Sequence, residues 1–317
     1  MKTNGPMKIL FCSDGSSQAE SAVRFGALIA AACQAETSIL GIVEKAGDEE
    51  TVLQSLRRAQ NILKQYHLNA ELIARPGQPV REIVKRTGET HYDLVVIGAV
   101  RKGTRGPLWM SARAYKIIES VAPPVLVVIG ERPALRRILL CTGGTQWAEA
   151  TVRFGGDIAR CVNARVTLML VLASPPAVYA NLIRVGETSE DQLLQTNSQA
   201  GRTLRHQKEL LQSMGVPCEI RLRYGLVLGE LLDELRRAEY DLVVSGSAPS
   251  RKKLRMYVMG NITREIVNRA DVPVLVVRSD VPAHRGLSHF VSQLLNRPVE
   301  RKAPLEGEAP AEPPGDP

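Results

Sequence analysis

The chain repeats itself. Ile9-Leu10-Phe11-Cys12 reads against Ile138-Leu139-Leu140-Cys141, and Val23-Arg24-Phe25-Gly26 against Val152-Arg153-Phe154-Gly155, both at an offset of 129. Farther on, Asp93-Leu94-Val95-Val96-Ile97-Gly98 matches Asp241-Leu242-Val243-Val244-Ser245-Gly246 at an offset of 148, and Pro124-Val125-Leu126-Val127-Val128 matches Pro273-Val274-Leu275-Val276-Val277 at 149. Ordered matches in one frame mark a tandem duplication, which restricts the fold to one unit built twice. The change of offset puts about 19 extra residues in the second copy, around 174–190, where Pro175, Pro176 and Gly186 fall.

Within one copy, strands alternate with helices. An apolar strand over 8–13 precedes a helix over 19–33, and a strand over 37–43 precedes a helix over about 49–66. A short strand over 71–74 leads to a helix opened by Pro79, a fourth strand covers 93–97, and a helix around 110–120 leads to the last strand, 125–129. This alternation argues for an α/β fold, a parallel sheet with helices on both faces. Runs such as Leu94-Val95-Val96-Ile97 are apolar at successive positions, as strands buried on both faces must be. Domain one spans 7–130, Glu131-Arg132-Pro133 is a short hinge, and domain two spans 136–278. The tail, 279–317, is rich in proline and cannot bury enough apolar area to order itself. Within it Leu287, Phe290, Val291, Leu294 and Leu295 have the spacing of a short amphipathic helix, free to dock on the body or to meet a partner.

Charge and composition narrow the function classes. The net charge of +8 favours anionic partners, and nucleic acid, nucleotide and acidic protein all qualify. Aromatics are only 4% of residues, so base stacking is a poor mechanism, and no nucleic-acid reading motif is present. No apolar run approaches the roughly 20 residues of a membrane helix. The start lacks the apolar core of a signal peptide. Cys12, Cys33, Cys141, Cys161 and Cys218 form no CxxC pair and sit inside apolar runs, as reduced core cysteines do. The expected location is cytoplasmic. The five histidines show no metal-ligand spacing, so no metal site is expected from them.

At this point the chain resembles the universal stress protein family. Residues 9–16, Ile9-Leu10-Phe11-Cys12-Ser13-Asp14-Gly15-Ser16, are similar to the family's opening strand and turn, and Arg75-Pro76-Gly77-Gln78-Pro79 followed by Ile83 to its middle segment. Residues 92–98 resemble its fourth strand and 124–128 its last. The resemblance implies two tandem doubly wound five-stranded parallel sheets, each in the order 3-2-1-4-5, in a protein that responds to stress without catalysing a reaction. Family members are single or tandem domains that form dimers.

That strand order reverses between the first and fourth strands, and ligands of open parallel sheets bind beyond the carboxyl ends of strands at such a point. The loops concerned are 14–17 and 98–111. The resemblance implies ATP or a similar nucleotide there, with Mg²⁺ alongside, held by Gly-x2-Gly-x9-Gly-Ser/Thr. This chain departs from that motif twice. Domain one has Gly98, then Arg101 in the second glycine's place, then nine residues before Ser111-Ala112. Domain two has Gly246, then Pro249, then ten residues before Gly260-Asn261. The acid of the first turn is Asp14 in domain one and is replaced by Gly143 in domain two. Both loops are basic, with Arg101, Lys102 and Arg105 beside Gly103 in one, and Arg251, Lys252, Lys253 and Arg255 in the other. Such side chains either neutralise phosphates or stand as solvated loop charges, and the sequence leaves both open. Domain one, with Asp14, Gly15, Ile42 on the adenine side and Gly98, is the better nucleotide candidate.

In this strand order the last strand is an edge. Segments 125–129 and 274–277 are wholly apolar, and an uncovered apolar edge invites aggregation. The two last strands are therefore expected to pair inside the chain as a pseudo-dimer, leaving other surfaces for a homodimer or a protein partner. Two functions compete with the nucleotide-binding stress protein: a protein-interaction module without nucleotide, and an ATP-using α/β enzyme. Against the enzyme, there is no Walker loop and no nucleophile with a paired base.

Overall fold

The computed structural model describes residues 6–99, 101–102, 109–143, 148–172, 190–247 and 261–278. The first copy runs β1 (Lys8–Cys12), α1 (Ser17–Ala32), β2 (Glu36–Val43), α2 (Glu49–Gln65), β3 (Ala70–Pro76), α3 (Pro79–Glu89), β4 (Leu94–Gly98), β5 (Arg101–Lys102), β6 (Trp109–Met110), α4 (Ala112–Ser120) and β7 (Val125–Val128). Local chemistry sets these boundaries. The Ser16 hydroxyl accepts from the Ala19 N–H to open α1, and the Ser111 hydroxyl does the same for Ala114 at the start of α4. Pro79 stands in the first turn of α3, where its missing N–H costs nothing. Helix α2 buries Ser55, Leu56, Ala59, Ile62 and Leu63, one stripe at helical spacing.

The second copy runs β8 (Arg137–Thr142), α5 (Glu149–Val162), β9 (Arg165–Leu172), α6 (Glu190–Gln195), α7 (Gln199–Ser213), β10 (Cys218–Tyr224), α8 (Val227–Arg237), β11 (Leu242–Ser247), α9 (Asn261–Arg269) and β12 (Val274–Arg278). The repeat offset of 129 holds through β9, the counterpart of β2. It is close to 150 at α7, the counterpart of α2. The extra residues therefore fall between Leu172 and Gln199, and they include α6, which has no counterpart in the first copy and seats Leu193 in the core.

Ten strands form one sheet in the order β10-β9-β8-β11-β12-β7-β4-β1-β2-β3. Each copy contributes five parallel strands in the expected 3-2-1-4-5 order. The copies are not two separate sheets. They merge edge to edge through β12 and β7, which pair antiparallel with Val125 opposite Val276, Leu126 opposite Leu275 and Val127 opposite Val274. All six side chains are fully buried. The internal pseudo-dimer is thus one continuous sheet, and the apolar edges cover each other.

Both faces of the sheet carry a core. Ile9, Phe11 and Val96 face α1 and α2, and the equivalent positions of β8 in the second copy, Ile138 and Leu140, share the same cluster with α5 and α7 residues. Leu10, Val95 and Ile97 point the other way, toward Ile83 of α3 and Ile118 of α4, in a cluster that also holds Leu231 and Ile266. Successive strand residues feed opposite cores, which explains why the strands read as unbroken apolar runs. Further contacts close the seam between copies. The Tyr115 hydroxyl of α4 donates to Oδ1 of Asn268 on α9, and Arg264 lies 4.7 Å above the Tyr115 ring. The Arg278 guanidinium donates to the Val121 carbonyl at 2.9 Å.

One local reading is corrected. Residues 101–102 and 109–110 form a two-stranded antiparallel ribbon, so the segment after β4 is not all loop and α4 begins at Ala112 rather than Met110. All five cysteines are free, partly buried thiols, and Cys12, Cys33, Cys141 and Cys218 pack against the cores. The proline-rich tail and its amphipathic segment lie outside the described residues. Among the described residues no helix is long and apolar enough to cross a membrane.

Candidate functional site

Strands β1 and β4 are neighbours, with Cys12 opposite Ile97, so their carboxyl ends bring the 13–16 turn beside Gly98. This is where the strand order reverses. Asp14 is exposed there. Its Oδ1 accepts from the Ser16 N–H at 3.0 Å and from the Ser16 hydroxyl at 2.6 Å, while the Ser16 oxygen caps Ala19 at 3.2 Å. The carboxylate thus buttresses the cap of α1. Among the described residues, the hydrogen bonds to this carboxylate go to Oδ1. Helix geometry leaves the first N–H groups of α1 without intrahelical acceptors at the same place.

Two glycines set the close approach. Gly15 has φ +77°, and a Cβ on it would stand 2.9 Å from Cβ of Ser55, so the turn lies hard against α2. A Cβ on Gly98 would stand 2.5 Å from the Gln18 carbonyl oxygen and 2.8 Å from the Ala19 nitrogen. Both are backbone atoms and cannot yield. Gly98 is therefore required for packing the end of β4 on the first turn of α1, a role independent of any ligand.

The other predicted residues frame this crest. Ile42 lies on β2, half-buried against the second core, two residues beyond the Leu40 that pairs with Cys12. Ser111 caps α4, while Arg101 and Lys102 form β5, paired with Met110 and Trp109. Gly103 and Arg105 lie outside the described residues. Sequence reasoning missed one pair. Arg113, in the first turn of α4, makes a two-pronged contact with Glu44 after β2, at 2.7 and 3.0 Å. It ties the Ile42 side of the crest to the Ser111 side. The two residues are 69 positions apart, so no local pattern could announce the contact.

The second crest is built differently. Gly143 occupies the place of Asp14 and offers no carboxylate. The hydroxyl of Thr142 donates to Gln207 Oε1 at 2.8 Å. The Gly246 carbonyl accepts from the Thr263 hydroxyl at 2.8 Å, and a Cβ on Gly246 would stand 2.7 Å from the Thr151 hydroxyl oxygen. Helix α5 starts behind Ala148 with no side-chain cap. Asn261 is exposed at the start of α9, and Gly260 and the four basic residues 251–255 lie outside the described residues.

The opposite end of the sheet carries a polar cluster in each copy. Tyr92 and Tyr240 are repeat counterparts, and so are Arg86 and Glu234. The Tyr92 hydroxyl accepts from Arg86 Nε at 2.9 Å, whereas the Tyr240 hydroxyl donates to Glu234 Oε1 at 2.9 Å. The partner's charge is inverted and the tyrosine adapts, because a phenol both donates and accepts. Burial, the largest influence on Glu234, pushes its carboxyl up. The hydrogen bonds from Arg223 and Tyr240 outweigh it and hold the group below the ordinary glutamate range. Burial foremost pushes Tyr240 up to about 12. An open cleft of about 980 Å³ lies at the same end of the second copy, lined by Arg132, Leu232, Arg236, Tyr240, Arg269 and Val272 among others. Among the described residues no group of three or more His, Cys, Asp or Glu is placed to hold a metal ion.

Comparison with known proteins agrees with this architecture. The sequence profile of the universal stress protein family matches residues 6–128 and again 134–278. A universal stress protein of Synechocystis sp., Slr1230, is 21% identical over 307 residues, covering 85% of this chain and 99% of the relative. The crystal structure of a universal stress protein from Archaeoglobus fulgidus superposes with a TM-score of 0.66 at 15% identity, over 86% of this chain and 98% of that one. A structure described as a putative universal stress protein from Pseudomonas aeruginosa gives 0.62 at 14% identity, over 92% and 98%. With the family profile matched twice along most of its length, the chain belongs to the universal stress protein family.

Proposed function

We propose that this chain is a non-catalytic stress-response protein that binds an adenine nucleotide, with Mg²⁺, at the crest of its first copy. The carrying observation is Asp14. One of its oxygens is fixed by Ser16, in the turn that precedes α1, and β1 and β4 end side by side there with Gly98 packed on the first turn of α1. A fixed carboxylate oxygen accepts from a hydroxyl or amino group of a ligand, while free helix N–H groups favour phosphate. Nothing in this constellation activates a nucleophile. The partners of Asp14 are groups of Ser16, not a second acid or base, so the site fits retention rather than turnover. The second crest has Gly143 in place of the acid, and its Thr142 and Thr263 hydroxyls are bonded within the chain, so one nucleotide per chain is expected. Five free thiols favour a reducing, cytoplasmic setting. The seam strands are consumed inside the chain, and a homodimer or protein partner would use other surfaces.

Calorimetric titration with ATP and Mg²⁺ tests this reading, with Asp14→Asn as the variant. Asparagine keeps an acceptor for Ser16 and removes the charge. The parent should bind one equivalent, and the variant should bind at least about tenfold more weakly, about 1.4 kcal/mol. No heat with the parent, or equal binding by both proteins, would reject it. Steady phosphate release would favour the enzyme instead.

A further inference from the structure

The first crest carries an ion pair for which the second has no residues. Strand β1 ends at Cys12, whose partner on β2 is Leu40, and β2 runs on for three more residues to Val43. At about 3.3 Å per residue, this raises a wall about 10 Å tall beside the 13–16 turn. Ile42 belongs to that wall, and Glu44 is the first residue beyond it. Strand β4 stands on the other side of β1, and the chain that leaves it leads through Ser111 into α4. The Arg113–Glu44 contact, at 2.7 and 3.0 Å, therefore reaches from the β4 side of the crest to the β2 side, past the end of β1 where the Asp14 turn begins.

The contact has the form of an anion held by a guanidinium at a helix start. Helix α4 has no acid in its own first turn, so the carboxylate on Arg113 is supplied by another element. A guanidinium fork takes two oxygens of a phosphate as it takes two of a carboxylate. Both side chains stay in contact with water, at 64% and 42% exposure, so the pair is a weak clasp that a more highly charged anion can open. The repeat supplies an internal comparison. At offsets of 149 and 129, Arg113 corresponds to Ile262, exposed in the first turn of α9, and Glu44 corresponds to Ala173. Both members of the pair are thus replaced in the copy that has Gly143 instead of Asp14. We infer that Arg113 binds the phosphates of the nucleotide and that Glu44 holds its guanidinium until they arrive, so that nucleotide enters by displacing Glu44. This assignment rests on the nucleotide-binding reading of the same crest. It makes the clasp a selectivity device: adenosine leaves it shut, and a phosphate-bearing ligand opens it.

Titration of the full-length protein with ATP and Mg²⁺, and separately with adenosine, gives the test. Glu44→Gln removes the competing charge and should bind ATP about twofold to fivefold more tightly than the parent. Arg113→Gln should bind ATP at least about tenfold more weakly. Arg113→Lys, which keeps the charge without the fork, should fall between Arg113→Gln and the parent. Adenosine affinity and Tm should be the same in all four proteins, because the pair is exposed and meets no part of the nucleoside. The inference is overturned if Glu44→Gln binds ATP no more tightly than the parent, or if Arg113→Gln binds it as tightly. It is equally overturned if adenosine affinity shifts as much as ATP affinity, since the pair would then shape the crest rather than compete with phosphate. Any of these results with a parent that binds ATP leaves the nucleotide reading standing. An absence of ATP binding in all four proteins overturns both.

Discussion

Leu126 lies directly across the seam from Leu275, and each is the other's counterpart in the internal repeat. The flanking pairs, Val125 with Val276 and Val127 with Val274, exchange under the same operation, so a pseudo-twofold axis passes through the leucine pair. The contact is isologous, as in a symmetric dimer, but both partners belong to one chain. Both leucines are fully buried. Leu126→Ala and Leu275→Ala should each cost about 2–5 kcal/mol by urea unfolding. Because the residues share one cavity, the double variant should depart from additivity by about 0.5–3 kcal/mol. A strictly additive pair would show that the two copies do not meet there in solution.

Gly98 should fail as a binding-site probe, because its substitution damages the fold. Gly98→Ala drives a Cβ into the Gln18 carbonyl and should cost about 1–3 kcal/mol with or without nucleotide, read as a drop in Tm. Asp14→Asn, by contrast, should stay within about 0.5 kcal/mol of the parent. Equal Tm values for Gly98→Ala and the parent would contradict the close approach of β4 to α1.

Acid should expose Glu234. Burial is the largest influence on its carboxyl and pushes it up, but Arg223 and Tyr240 together hold it below the ordinary range in the folded chain. The stability it contributes is therefore present above the unfolded value, about 4.3, and is lost as pH falls through the lower folded value. Glu234→Gln should cost about 1–3 kcal/mol at neutral pH. The gap between parent and variant should shrink as pH drops below about 4. A gap independent of pH would mean that the ionised carboxylate is not what Arg223 and Tyr240 recognise.

Much of this was readable in the sequence because the fold advertises itself through burial. Strands that face two cores are apolar at every position, and the duplicated order of such runs announced an α/β unit built twice, while the strand order within each unit came from the resemblance to the family. The seam followed from the need to cover Val125–Val128 and Val274–Val277. What escaped has a physical reason in each case. The β5–β6 ribbon has two-residue strands, too short for any period to appear. Helix α6 lies in the insertion, where the repeat offers no template. The packing role of Gly98 depends on a backbone carbonyl 80 positions earlier, and the Arg113–Glu44 contact joins residues that only the folded sheet brings together. The exchange of Arg86 for Glu234 was visible as a substitution, but its meaning needed the two tyrosines in place.

Hydrogen–deuterium exchange of the full-length protein, with and without ATP and Mg²⁺, tests most directly that one copy kept a nucleotide crest and the other lost it. Slower exchange should appear in the 13–20 turn and at 98–113, with 142–151 and 246–262 unchanged. Protection centred on the second copy, or none in either, would contradict the account.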